Sequence, residues 1–421
     1  MGVPAIFDDL PDCLPKGRSK GRAAQLDGAR AGTPHPEGSD QVHEAVAAEP
    51  DLPRVTVVIP AYNMEQFVER SIRSALAQTY APLDVLVVDD GSTDRTLEIA
   101  TRIAEDEPRL QVVSFPNGGV ARARNRGTVL AEGIYVAYLD GDDLWHPTKI
   151  EKQVAALQAV PPGENWAGCY TLFRKIDEED RIVGSGFGAG WRGDFFFDHL
   201  LLNNVGNGSS LLVRRDAALS VGGFDPTYAE RGITGTEDFD FQLKLLLRYR
   251  LEVVPEFLVG YRLHPRQMSA NLSRMALGHM AVVEKFVMLA QLDGKSGQLA
   301  LVTANKGACA SFAKAHDWAN VRRSALKIYG DDRSAALVFG LNRAALGARR
   351  ILARLADGLA HGIGRVAPRA GSPRPDLSFH AIDPRPGIGA DRRPIAPGSR
   401  LWPEPLIRTS RPSPPPEDED D

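Results

Sequence analysis

The sequence predicts an α/β fold in which a mainly parallel sheet is flanked by helices and followed by an α-helical appendage, with disordered termini. Three observations lead to this prediction. β-Branched runs alternate with segments of helical periodicity between residues 54 and 139, helical segments dominate residues 271–364, and proline, glycine and charged residues dominate both ends. Alternating strands and helices favour parallel pairing with right-handed crossovers. Ligand-binding side chains are therefore expected where the strands end.

The first element is a strand predicted at residues 55–59, where a β-branched run ends at Pro60. Asn63, followed by Gln66 three residues later, is expected to cap the next helix. The unit then repeats, with strands predicted at residues 85–88, 110–115 and 134–139 and helices at residues 93–105 and 120–132. Ser92 is expected to cap the first of these two helices.

The pattern is more mixed from residue 148 to about residue 262. A helix after Thr148, strands at residues 167–174 and 209–214 and a helix after Thr236 complete one predicted domain at residues 54–270. Four helical segments, at residues 273–290, 298–315, 318–328 and 334–359, predict the appendage at residues 271–364. Residues 1–53 predict a disordered leader, and residues 365–421 a disordered proline-rich tail with an acidic end; neither is expected to bury a core.

Composition excludes several classes of protein. The chain has 421 residues, of which 43% are hydrophobic and 25% charged, and its net charge of -4 gives no reason to expect a nucleic-acid surface. Its three cysteines, Cys13, Cys169 and Cys309, are too far apart for a zinc cluster or a disulfide framework, which fits a reducing cytoplasm. No stretch reaches the roughly 18 to 20 apolar residues that a membrane span needs.

Three carboxylates stand within four residues in the segment 138–145, which reads YLDGDDLW. Like charges at this spacing repel unless a cation or a proton neutralises them. Because the segment follows a predicted buried strand, it lies where an α/β sheet binds ligands. The residues alone leave open a second interpretation, in which Asp140, Asp142 and Asp143 only make turn and cap hydrogen bonds.

Two further charged groups are ambiguous on local pattern alone. Arg122, Arg124 and Arg126 follow two glycines at a helix start, where they can face solvent or bind diphosphate, and helical spacing prevents all three from sharing one face. The acidic start of the helix after Thr236 can supply a general base or simply complement the helix dipole.

Together these segments resemble the family 2 glycosyltransferases, inverting enzymes with the GT-A fold that transfer sugars from activated nucleotides. The resemblance depends on the order and spacing of its motifs, which run over about residues 54–270. They are VVIPAYN at 57–63, VDDGSTD at 88–94, ARN at 123–125, LDGDD at 139–143, GSS at 208–210, VGGFD at 221–225 and TED at 236–238. The leader, the appendage and the tail lie outside it.

The resemblance implies a role for each motif. Asp142 is expected to ligate Mn²⁺ or Mg²⁺, Asp140 to lie near the metal or the ribose, and Asp238 to act as the catalytic base, with Glu237 or Asp240 as alternatives. His264 is expected to reach the metal or the diphosphate, although a histidine with only a structural hydrogen bond fits the pattern equally well. The expected nucleotide-binding residues are Pro60, Ala61, Tyr62, Asp90, Arg124 and Asp140.

The function that the resemblance implies is metal-assisted direct displacement. The donor is a nucleotide-sugar, UDP-linked in most similar proteins, and the acceptor is a glycan or a lipid-linked molecule, as in polysaccharide or glycoconjugate synthesis of the cell envelope. A sugar nucleotidyltransferase would need a glycine-rich basic loop after the first strand, where PAYN stands instead. A non-catalytic nucleotide-sugar binding module would lack the base. No GxGxxG follows the first strand, which argues against a dehydrogenase.

The last helical segment carries arginines among leucine and isoleucine residues, at positions 343, 349, 350 and 354. This pattern is compatible with an interfacial helix on anionic lipid. It is more typical of an ordinary amphipathic helix that packs on its own domain with solvated arginines. The first interpretation gives peripheral contact with the inner face of a membrane as a hypothesis.

Overall fold

The structure is a computed structural model that describes residues 52–186, 190–233 and 235–330, together with residues 333, 334, 337, 340 and 379. The predicted leader, nearly all of the arginine-bearing helical segment and the tail apart from Phe379 lie outside the described residues. Cys13 does so too. Within the described part, no helix combines the length and the apolar character that crossing a membrane requires.

One sheet organises the described residues. Its strands are β1 (Val55–Ala61), β2 (Leu83–Asp89), β3 (Leu110–Ser114), β4 (Tyr135–Tyr138), β5 (Leu144–Trp145), β6 (Trp166–Ile176), β7 (Ile182–Ser185), β8 (Leu211–Arg214) and β9 (Arg250–Arg262). Their order is β3-β2-β1-β4-β8-β6-β9-β5, and β7 pairs with β6. Strands β1 to β4 pair in parallel, as the sequence predicts. The later strands are mixed, because β8 runs antiparallel to both β4 and β6 whereas β6 and β9 are parallel.

Helices cover both faces of this sheet. They are α1 (Val68–Leu76), α2 (Thr96–Asp106), α3 (Val120–Leu130), α4 (Lys149–Gln158), α5 (Phe196–Leu201), α6 (Arg215–Ser220), α7 (Thr227–Glu230), α8 (Glu237–Arg248), α9 (Leu272–Leu289), α10 (Gly294–Lys314) and α11 (Trp318–Tyr329). Side chains alternate across a strand, so Val57 and Ile59 join one apolar cluster with α1, α2 and α4, while Val58 joins the opposite cluster with α3, α6 and α8. The predicted α/β architecture is confirmed.

Both predicted helix caps at the first two strand ends are wrong. Helix α1 begins at Val68 and α2 at Thr96, several residues after Asn63 and Ser92. Instead, the two turns are hydrogen-bonded to each other. The Asn63 backbone N–H donates to Ser92 Oγ at 3.1 Å, and the Thr93 N–H donates to Asn63 Oδ1 at 2.8 Å. The side chains therefore join two neighbouring loops at the carboxyl edge of the sheet.

Strand β9 is long and was given no bounds by the sequence pattern. It contains Pro255, which cannot donate a ladder hydrogen bond and is atypical of a strand interior. The structure accommodates it with an irregularity: Thr171 pairs with Val254, but Leu172 pairs with Phe257, so two residues of β9 are passed over. The strand continues to Arg262 and so delivers His264 to the sheet edge where β1, β2 and β4 end.

Helices α9, α10 and α11 form the region predicted as the appendage. Helix α9 packs on α8 through an apolar cluster that includes Phe239, Leu243, Val282 and Phe286. A second set of close contacts joins the two helices, since a Cβ added to Gly278 would lie 2.7 Å from Thr236 Oγ1. Helix α8, whose first turn carries the expected catalytic base, therefore shares an apolar cluster with α9.

Candidate active site

The carboxyl ends of β1 and β2 form one wall of the candidate site. Pro60 and Ala61 are buried in β1, and the backbone carbonyl of Ala61 accepts a hydrogen bond from Asp90 N at 2.8 Å. Tyr62 follows directly and keeps 44% of its surface exposed. Of the three expected nucleotide-binding residues at the end of β1, only Tyr62 therefore presents its side chain to solvent.

Asp90 is a buried carboxylate that orders the loop before α3. Its two oxygens accept hydrogen bonds from Gly118 N at 2.9 Å and Gly119 N at 2.7 Å. Arg126 lies 3.6 Å away and stacks on Phe115. Burial raises the pKa of Asp90 despite these partners. Its role toward a nucleotide stays a prediction, because in this structure both oxygens are engaged by backbone amides.

Asp143 holds the acidic loop in place from beneath. It is buried, and its oxygens accept hydrogen bonds from Ser209 Oγ at 2.6 Å and Arg262 N at 2.9 Å. Burial, with the nearby charges of Asp142 and Asp140, raises its pKa well above the ordinary value. Ser209 also accepts a hydrogen bond from Asp140 N at 3.0 Å. The third carboxylate of the motif is therefore structural.

Asp140 and Asp142 have different partners. Asp140 Oδ1 lies 2.5 Å from Arg124 Nη2, whereas Asp142 Oδ2 lies 3.0 Å from His264 Nε2. The structure thus brings together two residues that lie 122 positions apart, and the family resemblance had placed Asp142 at a metal and His264 at the metal or the diphosphate. The His264 ring is nearly buried and packs against Phe67, with their centroids 5.0 Å apart.

The side-chain donor atoms at this loop fit a cation that takes its remaining ligands from a bound substrate and water. Asp142 and His264 offer one oxygen and one nitrogen side by side, but Asp140 is already paired with Arg124. Within the described ranges, no group of three or more His, Cys, Asp or Glu side chains is arranged to hold a metal ion. Mg²⁺ commonly takes one or two protein carboxylates and completes its shell with phosphate oxygens and water.

Arg124 lies at the centre of the site's electrostatics. It is 3% exposed, stacks on Phe224 at 5.1 Å and lies against Gly208, where an added Cβ would be 3.1 Å from Nη2. Burial disfavours its charge, but the surrounding carboxylates of Asp140, Asp238 and Glu237 raise its pKa above the ordinary value. Arg124 therefore links the acidic loop to the start of α8.

The other two arginines of the α3 start point elsewhere. Arg122 pairs with the exposed Glu230 at 2.8 Å, and Arg126 pairs with Asp90. The expectation that helical spacing separates the three arginines is confirmed. The contact between Arg126 and Asp90 is one that the sequence pattern did not indicate.

The start of α8 presents three carboxylates in three environments. Glu237 is buried and accepts a hydrogen bond from Gly235 N at 2.8 Å. Asp240 is fully buried and is bound by Tyr228 Oη at 2.9 Å and Lys285 Nζ at 2.5 Å. Asp238 remains partly exposed and accepts one hydrogen bond from Phe239 N at 2.7 Å.

The pKa of Asp238 is unusual for a carboxyl group. Burial by surrounding protein raises it to about 7, with Arg124 opposing this shift and Glu237 adding to it. A carboxylate that titrates near neutral pH can both hold and release a proton under the same conditions, which is what general base catalysis requires. Of the three carboxylates, only Asp238 also keeps part of its surface exposed, whereas Glu237 and Asp240 are buried.

Comparison with known proteins places these features in one family. The model of glycosyl transferase family 2 matches residues 56–196. An uncharacterized glycosyltransferase of Haemophilus influenzae is 31% identical over 231 residues, which cover 52% of this chain and 68% of that protein. The chain belongs to glycosyl transferase family 2. This confirms the resemblance of its motifs, which continue beyond the matched region to residue 238.

Other relatives of this family 2 protein are larger or more distant. The chondroitin synthase of Pasteurella multocida strain Pm70 is 35% identical over 136 residues, which are 32% of this chain but only 14% of that protein. The chain therefore corresponds to a small part of such relatives. The crystal structure of Staphylococcus aureus TarS 1-349 has a TM-score of 0.50 at 15% identity and covers 70% of this chain and 92% of that one. This likeness supports the GT-A fold.

Two residues of the site were not among those expected from the sequence. Ser209 binds both Asp140 and Asp143, and only its place in the GSS motif signals it. Arg262 donates from Nε to Asp142 O at 2.6 Å and from its backbone N–H to Asp143. No local pattern marks Arg262, because its partners are about 120 positions away.

Proposed function

We propose that this protein is an inverting glycosyltransferase that moves a sugar from a UDP-linked donor to the hydroxyl of a glycan or a lipid-linked acceptor. The observation that carries the proposal is the charge arrangement around Arg124. This buried guanidinium binds Asp140 of the acidic loop and acts electrostatically on Asp238, whose pKa is about 7. The donor-binding loop and the candidate base therefore belong to one electrostatic unit.

Donor recognition is assigned to the strand-end wall. The exposed ring of Tyr62 supplies an aromatic face on which a nucleobase can stack, and Asp90 shapes the glycine loop before α3. The choice of a uridine nucleotide is supported by the S. aureus protein TarS 1-349, which has been crystallised in complex with UDP-GlcNAc and has a TM-score of 0.50 at 17% identity. Which sugar this chain takes is set by the shape of the loops around the acidic motif.

Metal binding is assigned to Asp142 and His264, with the donor diphosphate providing further oxygens. Asp142 and His264 would hold a divalent cation, which would supply positive charge to offset the negative charge on the departing diphosphate. Asp140 stays paired with Arg124, which keeps a positive charge beside the same leaving group. Asp143 and Ser209 hold the loop in the shape that presents Asp142.

Asp238 is assigned as the base. As the acceptor oxygen forms its bond to the anomeric carbon, the bond from that carbon to the diphosphate breaks and the nucleoside diphosphate leaves. The acceptor proton passes to Asp238. A direct displacement of this kind inverts the anomeric configuration, and a base with a pKa near the working pH is effective in such a step.

The two described cysteines support the proposed cytoplasmic setting. Cys169 and Cys309 are buried free thiols. Such thiols are typical of proteins from reducing compartments. Peripheral membrane contact through the arginine-bearing segment remains a hypothesis, because that segment lies outside the described residues.

The test is release of UDP from a panel of UDP-sugars, with and without Mn²⁺ or Mg²⁺, in the presence of glycan acceptors. We expect metal-dependent UDP release and a product of inverted configuration by NMR. Pyrophosphate formation from UTP and a sugar phosphate would instead indicate a nucleotidyltransferase. Metal-dependent donor binding without turnover on any acceptor would favour a binding module.

The metal assignment has its own test. Asp142→Asn should remove Mn²⁺-dependent binding of UDP in calorimetry, because it takes anionic charge from the cation's ligand shell at nearly constant volume. Asp106→Asn, at an exposed position at the end of α2, is the matched control. Equal Mn²⁺-dependent affinity in the Asp142 variant and the control would show that the cation is held elsewhere.

A further inference from the structure

Phe379 lies in the stretch predicted to be a disordered tail, yet its side chain is 2% exposed. It joins an apolar cluster with Leu144, Ile176 and Ile182. Its ring lies over Gly260, where an added Cβ would be 3.3 Å from the ring Cγ. Strands β5, β6, β7 and β9 therefore form a pocket that one residue from the far end of the chain fills.

The sequence around Phe379 differs from the rest of the tail. Residues 377–382 read LSFHAI, an apolar island between stretches rich in proline, arginine and glycine. A single apolar island in a polar segment is typical of a docking motif, because the flanking residues cannot form a core of their own. The occupant of the pocket is thus this chain's own tail.

The pocket lies directly behind the acidic loop. Leu144 follows Asp143 in the chain and pairs with Gly260 of β9. Two residues further along β9, Arg262 donates from its backbone N–H to Asp143 and from Nε to the carbonyl of Asp142. Phe379 therefore contacts β5, which follows the acidic loop, and β9, which donates hydrogen bonds to it.

A polar contact reinforces this link. The backbone N–H of Phe379 donates to the carbonyl of Asp180 at 3.1 Å. The Asp180 side chain lies 2.6 Å from Arg262 Nη2 and 2.8 Å from Arg70 Nη1. Asp180 also has a φ of +66°, a left-handed conformation that is uncommon for non-glycine residues but that Asp adopts more readily than most. Docking of Phe379 thus engages the same residue that anchors Arg262.

We propose that Phe379 anchors the C-terminal stretch behind the acidic loop and so holds Asp142 and Asp143 in the arrangement that binds the donor diphosphate. Its effect on UDP rests on the function proposed above, whereas its effect on the loop does not. Phe379 is a positioning residue, since it acts through Leu144, Gly260 and Asp180 rather than by touching the substrate.

The primary experiment compares full-length Phe379→Ala with Val183→Ala. Val183 is 55% exposed and neighbours Ile182 on β7, so it controls for a lost side chain on the same hairpin outside the pocket. We expect Mn²⁺-dependent UDP affinity to fall about tenfold for Phe379→Ala and to stay within about twofold for Val183→Ala. Wild-type affinity in Phe379→Ala would overturn the proposal.

A peptide added in trans separates docking from general damage. A synthetic peptide of residues 374–385, at about millimolar concentration to replace the lost tethering, should restore most of the UDP affinity of Phe379→Ala. The same peptide with alanine at position 379 should not. Failure of the unchanged peptide to restore affinity would count against docking. If Phe379→Ala does not fold, Phe379→Leu replaces it, with an expected loss of about threefold and the same rescue.

Hydrogen exchange gives a readout that does not depend on any ligand. We expect the amide of Arg262 and the amides of residues 139–145 to exchange at least about tenfold faster in Phe379→Ala than in wild type, and at an unchanged rate in Val183→Ala. Unchanged exchange in Phe379→Ala would overturn the proposal. Faster exchange in a protein whose wild type does not bind UDP would leave docking intact and overturn the proposed function instead.

Discussion

At the scale of the residue, the site depends on how three neighbouring carboxylates are made different. Glu237, Asp238 and Asp240 stand within four positions of each other, but Glu237 accepts from a backbone amide, Asp238 lies in the field of Arg124 and Asp240 pairs with the half-buried Lys285. Asp240 is fully buried and paired with Lys285, and Glu237 is buried and accepts a hydrogen bond from Gly235 N. Only Asp238 combines partial exposure with a pKa near neutrality.

The first residue-scale prediction is kinetic. Asp238→Asn should leave Mn²⁺-dependent UDP binding nearly unchanged while lowering the transfer rate by about 10² to 10⁴, the usual contribution of a positioned general base. Steady-state rates and calorimetry on the same preparation measure the two effects, with Asp106→Asn as the control. A folded variant that binds UDP and transfers sugar at the wild-type rate would refute this role, and Glu237→Gln would be tested next.

The second residue-scale prediction concerns pH. Because burial raises the pKa of Asp238 to about 7, the folded protein keeps a proton there that the unfolded chain has released above about pH 4. Fewer protons are then bound by the unfolded state, so this group makes the free energy of unfolding decrease as the pH rises from about 4 to 7. Asp238→Asn lacks this dependence.

The stability of Asp238→Asn relative to wild type should therefore increase over this range. We expect the difference in unfolding free energy to grow by about 1 to 2 kcal/mol, less than the full pKa shift implies, because solvent screens a partly exposed group. Urea denaturation at pH 4, 6 and 8 measures it. A difference that is constant with pH would mean that the carboxyl titrates normally.

At the scale of the element, α9 packs against α8, the helix that carries the proposed base. Lys285 on α9 contacts Asp240 of α8 at 2.5 Å and Asp225 at 2.9 Å. Its hydrogen bonds, with those of Thr227, overcome burial and lower the pKa of Asp225 to about 2. The same two helices also approach closely at Gly278 of α9 and Thr236, one turn before Asp240. The appendage thus packs against the first turn of α8.

The element-scale prediction is that Lys285→Met destabilises the protein by about 2 to 4 kcal/mol, because a fully buried Asp240 loses one of its two lysine partners. The matched control is Lys327→Met, which removes an exposed ion pair with Glu284 and should change stability by less than about 1 kcal/mol. Denaturant midpoints compare the two. Equal losses would show that the buried pair adds nothing beyond a surface one.

At the scale of the whole molecule, the C-terminal stretch contributes a residue to the packed part of the protein. Phe379 from this stretch is buried in the sheet region. The sequence-based expectation that neither end buries a core therefore does not hold at Phe379. The composition of residues 1–50 is that of a segment unable to form a core of its own.

The whole-molecule prediction compares deletions at the two ends of the chain. Deleting residues 1–50 should leave UDP affinity and the denaturation midpoint within error of wild type. Deleting residues 365–421 should weaken UDP binding to the extent seen for Phe379→Ala. Calorimetry and urea denaturation of the two truncated proteins provide the comparison. Loss of UDP binding on removal of residues 1–50 would show that the leader completes the site.

The sequence by itself determined the local elements and the chemistry they carry. Strands β1 to β4, the helices between them and the acidic loop follow from periodicities of two and 3.6 residues and from the order of the motifs, all of which are local properties. That Asp142 and His264 meet also followed, but only through the resemblance to a family.

The tertiary structure decided the rest: which carboxylate stays exposed, that Arg124 binds Asp140, that Asn63 and Ser92 join two turns, and that Phe379 fills a pocket. Each of these features depends on partners that are distant in the chain; Asp143 and Arg262, for example, are 119 positions apart. The burial and charge that such partners impose appear only when the sheet is assembled.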